Sequence, residues 1–402
     1  MNFEFPLESI PEFISEFFTL LTETYMLTMA QNREQVYQDF LEQESGFNAQ
    51  KLAFLDKGIK TSPYHTAVSD YPNRLTQRPT LALAGAKTYP NVGEVPEIDE
   101  QALHFLHPDI KQACVCVGGS AGGPLKARWL GRNALDKEQF WSATKIIPIL
   151  NLLSQLKTDV QSSEVRGEEK SFSLWQLFED VVTYEEKIGS SNAIAAMFKC
   201  FQTYQGLEEW MMNVTGNHHA EFQGLYGEEP LIASPKVCQG NREILSAAPE
   251  TKKRETQPGE NLVTAYDLTR LMSMVGWHFH LPHEAQFSIE WENLKPFIVA
   301  LGKDISRYLD VAIAKLGITE NLQSPVILSK MGFGYSNSRK RTELTYTCFT
   351  QFSYKGMPMS VAMTLRGARA LGNFDREAVE IDARMATEVT EILRRLVSEE
   401  LK

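Results

Sequence analysis

The stretch "ACVCVGGSAGGPLKARWLG", residues 113–131, decides how this chain folds. It begins with a short apolar run and passes through the glycine-rich segment 118–123. It then continues with Lys126 and Arg128 alternating with apolar residues. Alternation with a period of two is typical of a half-buried strand, and glycines favour a tight turn between two strands. The stretch therefore predicts a β-hairpin.

The same turn has a second interpretation. The segment "GGSAG", residues 118–122, fits the G-x-S-x-G pattern of the nucleophile elbow of α/β-hydrolases, in which Ser120 would be the catalytic serine. An elbow needs a turn from a central parallel strand into a helix, whereas Pro124 and the alternating residues after it indicate a second strand. The hairpin is the favoured interpretation, and an α/β-hydrolase that uses Ser120 is the less favoured alternative.

Composition limits the class of protein and its partners. The 402 residues are 43% hydrophobic and 23% charged, as in an ordinary globular protein, and they carry a net charge of −11. Nucleic acids and anionic membranes are bound by basic surfaces, so we expect neither as a partner. Five dispersed cysteines without a C-x-x-C pair predict no disulfide framework and no metal site.

The N-terminus begins "MNFEFPLESIPEFISEFFTLL", with acidic residues where an export signal has basic ones, and it lacks a long uninterrupted apolar span. We therefore expect a cytoplasmic protein without membrane insertion. Apolar residues at helical spacing predict a helix over about 8–44, and a proline-containing segment follows at 62–97. Residues 1–105 are thus predicted to form a helical extension and a linker.

The remaining elements predict an α+β fold. A largely helical block covers about 137–317, strand-like runs cover about 324–366, and an amphipathic helix covers about 375–400, with Asp375 as its expected cap. Strands thus stand on both sides of the helical block instead of alternating with helices. We expect one domain over 106–402, in which both ends build an antiparallel sheet around an inserted all-helical subdomain.

The start of the helical block contains a candidate nucleophile. In "FWSATKIIPIL", Ser142 and Lys145 form an S-x-x-K pair, and this spacing places both side chains on one face of a helix. An amine can take the proton of a serine hydroxyl only when it is neutral, which desolvation favours. The apolar residues around the pair make Lys145 a candidate general base.

Two further motifs follow in the chain. "SSN" supplies Ser190 and Asn192 at the start of a helix, and "KMG" supplies Lys330 and Gly332 in the first strand after the helical block. The order S-x-x-K, S-x-N, K-x-G resembles that of serine β-lactamases of class A and penicillin-binding proteins. The segment "TAYDL", residues 264–268, is also similar to a helix of the class A enzymes, and the resemblance covers about 106–402.

The resemblance implies a fold of the β-lactamase/transpeptidase type and a set of roles. Ser142 would attack a carbonyl, Lys145 would accept its proton, Ser190 would relay that proton to the leaving group, and Asn192 would hold the substrate amide. Backbone N–H groups of Ser142 and Phe333 would form the oxyanion hole. Lys330, a further catalytic residue, would place positive charge opposite the substrate's anionic end, and the expected substrate-binding residues are Gly332, Lys340 and Arg341.

Two positions depart from the family pattern. Met331 stands where the family has a hydroxyl residue, and Glu229, the possible deacylation base, is followed by Ala233 in place of an asparagine. The sequence thus predicts a serine hydrolase or acyltransferase that cleaves an amide or ester, either β-lactam or peptide-like, without a cofactor. A catalytically silent binding protein with the same fold is the alternative. The substrate is expected to be a small molecule or peptide-like, and the sequence does not indicate an oligomeric state.

Overall fold

The computed structural model describes residues 32–120, 122–249 and 261–401. Of the helix predicted over about 8–44, the part before residue 32 lies outside these ranges. The strands are β1 (Lys87–Thr88), β2 (Ile98–Asp99), β3 (Ile110–Gly119), β4 (Lys126–Arg132), β5 (Glu138–Gln139), β6 (Ser163–Arg166), β7 (Ser171–Ser173), β8 (Glu221–Phe222), β9 (Lys236–Gln239), β10 (Arg242–Ser246), β11 (Asn261–Val263), β12 (Leu322–Ser336), β13 (Arg341–Tyr354) and β14 (Met357–Arg369). The α-helices are α1 (Arg33–Gln43), α2 (Tyr71–Arg74), α3 (Ile146–Gln155), α4 (Leu174–Thr183), α5 (Ser191–Lys199), α6 (Tyr204–Thr215), α7 (Ala265–Trp277), α8 (Trp291–Leu301), α9 (Tyr308–Lys315) and α10 (Phe374–Val397).

The main sheet has the order β1-β4-β3-β14-β13-β12, with β2 added beside β4. Strands from both ends of the domain therefore meet in its centre, where β3 pairs antiparallel with β14. The long strands β12, β13 and β14 follow one another as antiparallel neighbours. This arrangement confirms the predicted α+β class and the predicted origin of the sheet.

The opening hairpin is confirmed. β3 pairs antiparallel with β4, with Val117 opposite Arg128, and the Ser120 hydroxyl donates to the Pro79 carbonyl oxygen over 2.8 Å. The strand that ends in the glycine-rich segment is thus antiparallel to its neighbours, and a strand follows it, not a helix. The alternative of an α/β-hydrolase elbow at Ser120 is therefore wrong, because that elbow requires a parallel strand and a following helix.

The two faces of the sheet carry separate apolar cores, because side chains alternate along each strand. On β3, Cys114 and Cys116 lie in the core toward the helical block, and Val115 and Val117 lie in the core covered by α9 and α10. α7 crosses the first face closely: a Cβ on Gly276 would lie 2.3 Å from the Phe349 ring. The sheet is thus the middle layer of the domain.

The block predicted as all-helical is mixed. Besides α3 to α9 it contains a four-stranded sheet of order β10-β9-β6-β7 and a three-stranded sheet of order β5-β11-β8. Their strands are two to five residues long. Segments this short give too few alternating positions for a pattern to stand out from the helical ones around them.

The terminal helix α10 starts one residue before its predicted beginning and ends three before its predicted end. Its cap is the Asn373 side chain, which accepts from the Arg376 N–H. Asp375, the expected cap, accepts instead from the Ala49 N–H. Within the described ranges, no helix is long and apolar enough to cross a membrane.

Residues 44–56 are attached to α10 through a pair of buried acids. Asp382 accepts from the N–H groups of Phe54 and Leu55 and from the Tyr308 hydroxyl. Its carboxyl group also hydrogen-bonds with that of Glu44, whose pKa burial and Asp382 together raise to about 10. Two carboxyl groups in contact must share a proton, so Glu44 is protonated in the folded protein at neutral pH.

We expect Glu44→Gln to stabilise the fold above neutral pH. The folded-state pKa of Glu44 lies above its unfolded value, so folding takes up a proton, and the free energy of unfolding falls as pH rises from about 5 to 10, by up to about 1.4 kcal/mol per pH unit. Glutamine keeps a donor for Asp382 without needing that proton. Urea unfolding at pH 5, 7 and 9 should show the variant gaining stability over the wild type with increasing pH. The control Glu42→Gln, at an exposed position of α1, should show no such trend. A difference between Glu44→Gln and wild type that does not change with pH would contradict a shared proton.

Candidate active site

The candidate nucleophile lies in a strained turn. The segment Trp141–Lys145 is a 3₁₀ helix that continues into α3, and Trp141 has a φ of 50°. This left-handed conformation is unfavourable for a bulky residue and persists only when its surroundings enforce it. The Trp141 indole donates to the Glu343 carboxylate over 2.9 Å, and its ring packs against Gly334 so closely that a Cβ there would lie 2.5 Å away. Ser142, half-buried, follows directly.

Glu343 anchors that turn as a buried anion. Its carboxylate is paired with Arg339, Arg341 and Arg366 over 2.7, 2.6 and 2.9 Å. Burial alone would raise the pKa of Glu343, but the hydrogen bond from Arg339 and the charge of Arg366 lower it to about 2. The indole of Trp141 therefore keeps a charged acceptor across the whole range in which proteins fold.

The same cluster accounts for the positions of two expected substrate-binding residues. Arg341 is paired with Glu343 and also with Glu138 at 3.4 Å. Lys340 is exposed in the turn between β12 and β13, with a φ of 48°. The structure thus places Arg341 in a structural ion-pair network and Lys340 in a solvated turn.

Lys145 is buried, with an exposed fraction of 1%, and its amine donates to the Ser191 hydroxyl over 2.9 Å. Ser191 in turn donates to the Val181 carbonyl oxygen over 2.9 Å. The expected partner in the S-x-N motif was Ser190. Its hydroxyl instead caps α5 by accepting from the Ala193 N–H and donates to Glu228. Two adjacent serines stand at the start of α5, one as its cap and one as its first residue, and the sequence does not say which of them faces the lysine.

Burial and charge hold Lys145 neutral. Burial and the charge of Lys330 together lower the pKa of Lys145 to about 6, against the opposing charge of Glu228. A pKa near 6 leaves the amine mostly unprotonated at neutral pH, which is what a general base requires. This is the property that the apolar surroundings of the S-x-x-K pair predict.

Tyr184 joins Lys330 to the nucleophile, and no sequence motif marks it. It ends α4 with a left-handed φ of 56°, and its phenol interacts with the Ser142 hydroxyl. The Lys330 amine donates to the Tyr184 hydroxyl and, over 3.1 Å, to the Met331 carbonyl oxygen. Burial lowers the pKa of Lys330 to about 8, with Asp304 acting against it. Burial also raises the pKa of Tyr184, so it remains a neutral phenol.

A loop after β8 brings a carboxylate to the site. Glu228 accepts from the Asn192 side-chain amide over 2.9 Å and from Ser190, and its charge acts on Lys145. Glu229, the expected deacylation residue, and Glu228 are both exposed, but it is Glu228 that contacts Ser190 and Asn192. The structure therefore places Glu228 beside these two motif residues.

The edge strand β12 lies against the nucleophile turn. A Cβ on Gly332 would lie 2.5 Å from the Phe140 carbonyl oxygen and 2.9 Å from the Ser142 nitrogen, so only glycine permits this approach. Phe333 follows on the same edge strand, and its N–H as an oxyanion-hole donor stays a prediction. Met331 packs into the core on the other face of the sheet, so this position offers no hydroxyl to the site.

The donors that the structure brings together are amines, hydroxyls and one carboxylate. Among the residues that it describes, no cluster of three or more histidine, cysteine, aspartate or glutamate side chains could hold a metal ion. The described residues thus group two buried lysine amines with the serine that lies three residues before one of them.

No family model and no curated protein matches the chain. Among solved structures it is similar to a class A β-lactamase from Bacteroides cellulosilyticus, with 12% identity, a TM-score of 0.44, and coverage of 71% of this chain and 94% of that one. It is also similar to a β-lactamase from Streptosporangium roseum (12%, 0.44, 73% and 97%) and a class A β-lactamase from Mycobacterium abscessus (10%, 0.42, 73% and 98%). With TM-scores below 0.5, these likenesses decide neither family nor function, which must be judged from the chain's own residues.

The pKa of Lys145 should move in opposite directions in two variants. Lys330→Met removes a repelling cation and should raise this pKa, whereas Glu228→Gln removes an attracting anion and should lower it. Carbon-13 NMR titration of the lysine side chains measures both shifts. Lys340→Met, at an exposed lysine, is the control and should leave the Lys145 titration unchanged. Shifts of the same sign in the first two variants would contradict this electrostatic arrangement.

Proposed function

We propose that the protein is a serine hydrolase or acyltransferase with a β-lactamase-like mechanism, which cleaves an amide or ester through an acyl-Ser142 intermediate. The observation that carries the proposal is the buried, largely neutral amine of Lys145, three residues after a half-buried serine in one 3₁₀ helix. In a 3₁₀ helix, side chains three residues apart lie on the same face, which supports Lys145 as the base for Ser142.

The first half-reaction follows from these groups. The Ser142 oxygen bonds to the substrate carbonyl carbon while its proton passes to the Lys145 amine. The tetrahedral intermediate then expels the leaving group, which takes a proton from the lysine. Ser191 is suited to relay that proton because its hydroxyl is the acceptor of the Lys145 amine. Ser191 thereby takes the relay role that the sequence assigned to Ser190.

Lys330 and Tyr184 support this step. The charge of Lys330 disfavours a second cation nearby and so helps to keep Lys145 unprotonated before the reaction. The phenol of Tyr184 lies between Lys330 and Ser142 and holds the serine hydroxyl in place. A cation connected through one phenol to the nucleophile also stabilises negative charge that develops there.

The second half-reaction transfers the acyl group to water or another acceptor. We assign the base of this step to Glu228, in place of Glu229, because its carboxylate contacts Ser190 and Asn192 and its charge acts on Lys145. The water's oxygen bonds to the acyl carbon while its proton passes to Glu228. The bond from the acyl carbon to Ser142 then breaks, and Glu228 returns that proton to the serine oxygen by way of the Lys145 amine, which is neutral again after the first half-reaction. Glu228→Gln should therefore accumulate acyl-enzyme.

A fluorophosphonate probe should label Ser142. We expect one adduct per chain in the wild type, none in Ser142→Ala, and labelling slowed by about 100-fold or more in Lys145→Met, because a positioned general base contributes about that much. Intact-mass spectrometry and peptide mapping measure both the extent and the site. Ser120→Ala is the matched control and should label like the wild type, since Ser120 is held in the hairpin turn. If no acylating or phosphonylating probe modified Ser142, the protein would be a binding protein and the proposal would fail.

The rate of labelling should have a bell-shaped dependence on pH. It should rise through the pKa of Lys145, about 6, as the amine loses its proton, and fall above about 8 as Lys330 loses its charge. In Lys330→Met the acid limb should move to higher pH, because the pKa of Lys145 rises, and the alkaline limb should disappear. A profile measured from pH 4.5 to 9.5 tests this, and a rate that is constant over the range would exclude Lys145 as the base.

A further inference from the structure

The accessible charge beside the motif residues of the candidate site is negative. Glu228 is exposed, and its carboxylate accepts from the Asn192 side-chain amide over 2.9 Å and from the Ser190 hydroxyl. Its charge extends to the Lys145 amine, whose pKa it acts to raise. Glu229, the next residue, is exposed as well. A substrate that approaches Ser190 and Asn192 therefore meets a carboxylate first.

The loop that carries Glu228 is fixed on both sides of it. Before Glu228, the Asn261 side chain accepts from the Leu225 N–H over 3.2 Å and donates to the Leu225 carbonyl oxygen over 2.7 Å. After it, the Leu231 N–H donates to the Ala193 carbonyl oxygen over 3.0 Å. The carboxylate is thus held at the site before a substrate binds. Like charges brought together in a binding site cost free energy, and a fixed loop cannot relieve that cost by swinging away.

The positive charge of Lys330 is not open to a substrate. Lys330 is fully buried, and its amine donates to the Tyr184 hydroxyl and, over 3.1 Å, to the Met331 carbonyl oxygen. The buried carboxylate of Asp304 acts to raise the pKa of Lys330, so this lysine already has a counter-ion. Its charge acts on the nucleophile through Tyr184, whereas an anionic end of a substrate would need an exposed amine.

The cations that follow β12 are paired or lie away from the cleft. Arg339 donates to both oxygens of the Glu343 carboxylate over 2.7 and 2.8 Å, and Arg341 donates to the same carboxylate over 2.6 Å. Lys340 between them is exposed in the turn. A carboxylate is recognised best by a fork of free N–H donors, and here Glu343 occupies that fork.

An anionic substrate would also act against the base. The charge of Glu228 already favours the protonated form of Lys145. A second negative charge beside it would add to this effect and raise the pKa of Lys145, so less of the amine would be free to accept the Ser142 proton. An uncharged substrate leaves the base in its neutral form.

We infer that the site takes uncharged amides or esters and selects against substrates with a carboxylate near the reacting carbonyl. The inference rests on the proposed function, because it concerns the compound that acylates Ser142. Glu228 is the selecting residue: its charge disfavours anions during acylation, and the same carboxylate activates water once the leaving group has gone.

Two thioesters that differ by one charge test the inference. The S-ethyl monothioester of adipic acid is anionic at neutral pH, its methyl ester is neutral, and both have the same reacting carbonyl and leaving group. The second-order rate constant of ethanethiol release reports acylation, and intact-mass spectrometry confirms the adduct on Ser142. We expect the neutral compound to react about tenfold faster, because a fixed carboxylate repels the anionic one. Glu228→Gln should reduce this ratio to about threefold or less, since the repelling charge is gone.

Glu320→Gln is the matched control. Glu320 is an exposed acid just before β12, roughly 30 Å from Gly332 along that strand. Its variant should keep the wild-type ratio of the two rates. A tenfold preference that persists in Glu228→Gln would exclude Glu228 as the selecting residue and overturn the inference.

The remaining outcomes separate this inference from the proposed function. Equal rates for the two thioesters, or no reaction of the neutral one with a chain that the fluorophosphonate labels, would overturn the inference alone. A faster rate for the free acid that is lost in Lys330→Met would show that Lys330 receives an anion, and would overturn it too. Failure of both thioesters and of the fluorophosphonate to modify Ser142 would overturn both.

Discussion

The site depends on one close contact between the two halves of the domain, that of Gly332 with the backbone of residues 140–143. A single Cβ at that position would overlap the Phe140 carbonyl oxygen, so the strand can approach only because the side chain is missing. This approach brings Lys330 on the sheet to Ser142 and Lys145 on the helical block. Without it, the nucleophile turn would have its base but neither the second cation nor the edge strand.

The chemistry then follows from how charges are buried together. Two lysines buried close together cannot both stay protonated without a large cost in free energy, and Lys145 is the one whose pKa falls further. Asp304 supports the charge of Lys330, so the two amines have different pKa values although both are buried. Glu343 has the opposite environment, because its paired arginines keep it charged and let it hold Trp141. Glu343 thus fixes the position of Trp141, and the charge of Lys330 helps to keep Lys145 unprotonated.

The sequence predicts those parts of the structure that repeat a pattern over many residues or carry a motif. The hairpin at 113–131, the three long strands and α10 all show sustained periodicity, and Ser142, Lys145 and Lys330 stand in recognisable spacings. No sequence pattern indicates Tyr184, because a left-handed residue at the end of a helix is not part of any motif with a fixed spacing. The sequence also does not distinguish Glu228 from Glu229, which lie together in one exposed loop, or Ser191 from Ser190, since a rotation of one residue decides which serine faces inward. Only the tertiary packing supplies that rotation.

The pairing of β3 with β14 has a consequence for how the chain reaches this structure. The centre of the sheet forms only when residues 110–119 pair with residues 357–369, which lie about 250 residues later in the chain. Contacts of such long range slow folding, and they leave the inner edge of the opening hairpin unpaired while the helical block is being synthesised. The nucleophile turn is likewise made well before β12 emerges. A ribosome-bound chain would therefore carry its serine and its base long before it could use them, and a truncation that removes β14 would expose an apolar strand to other chains.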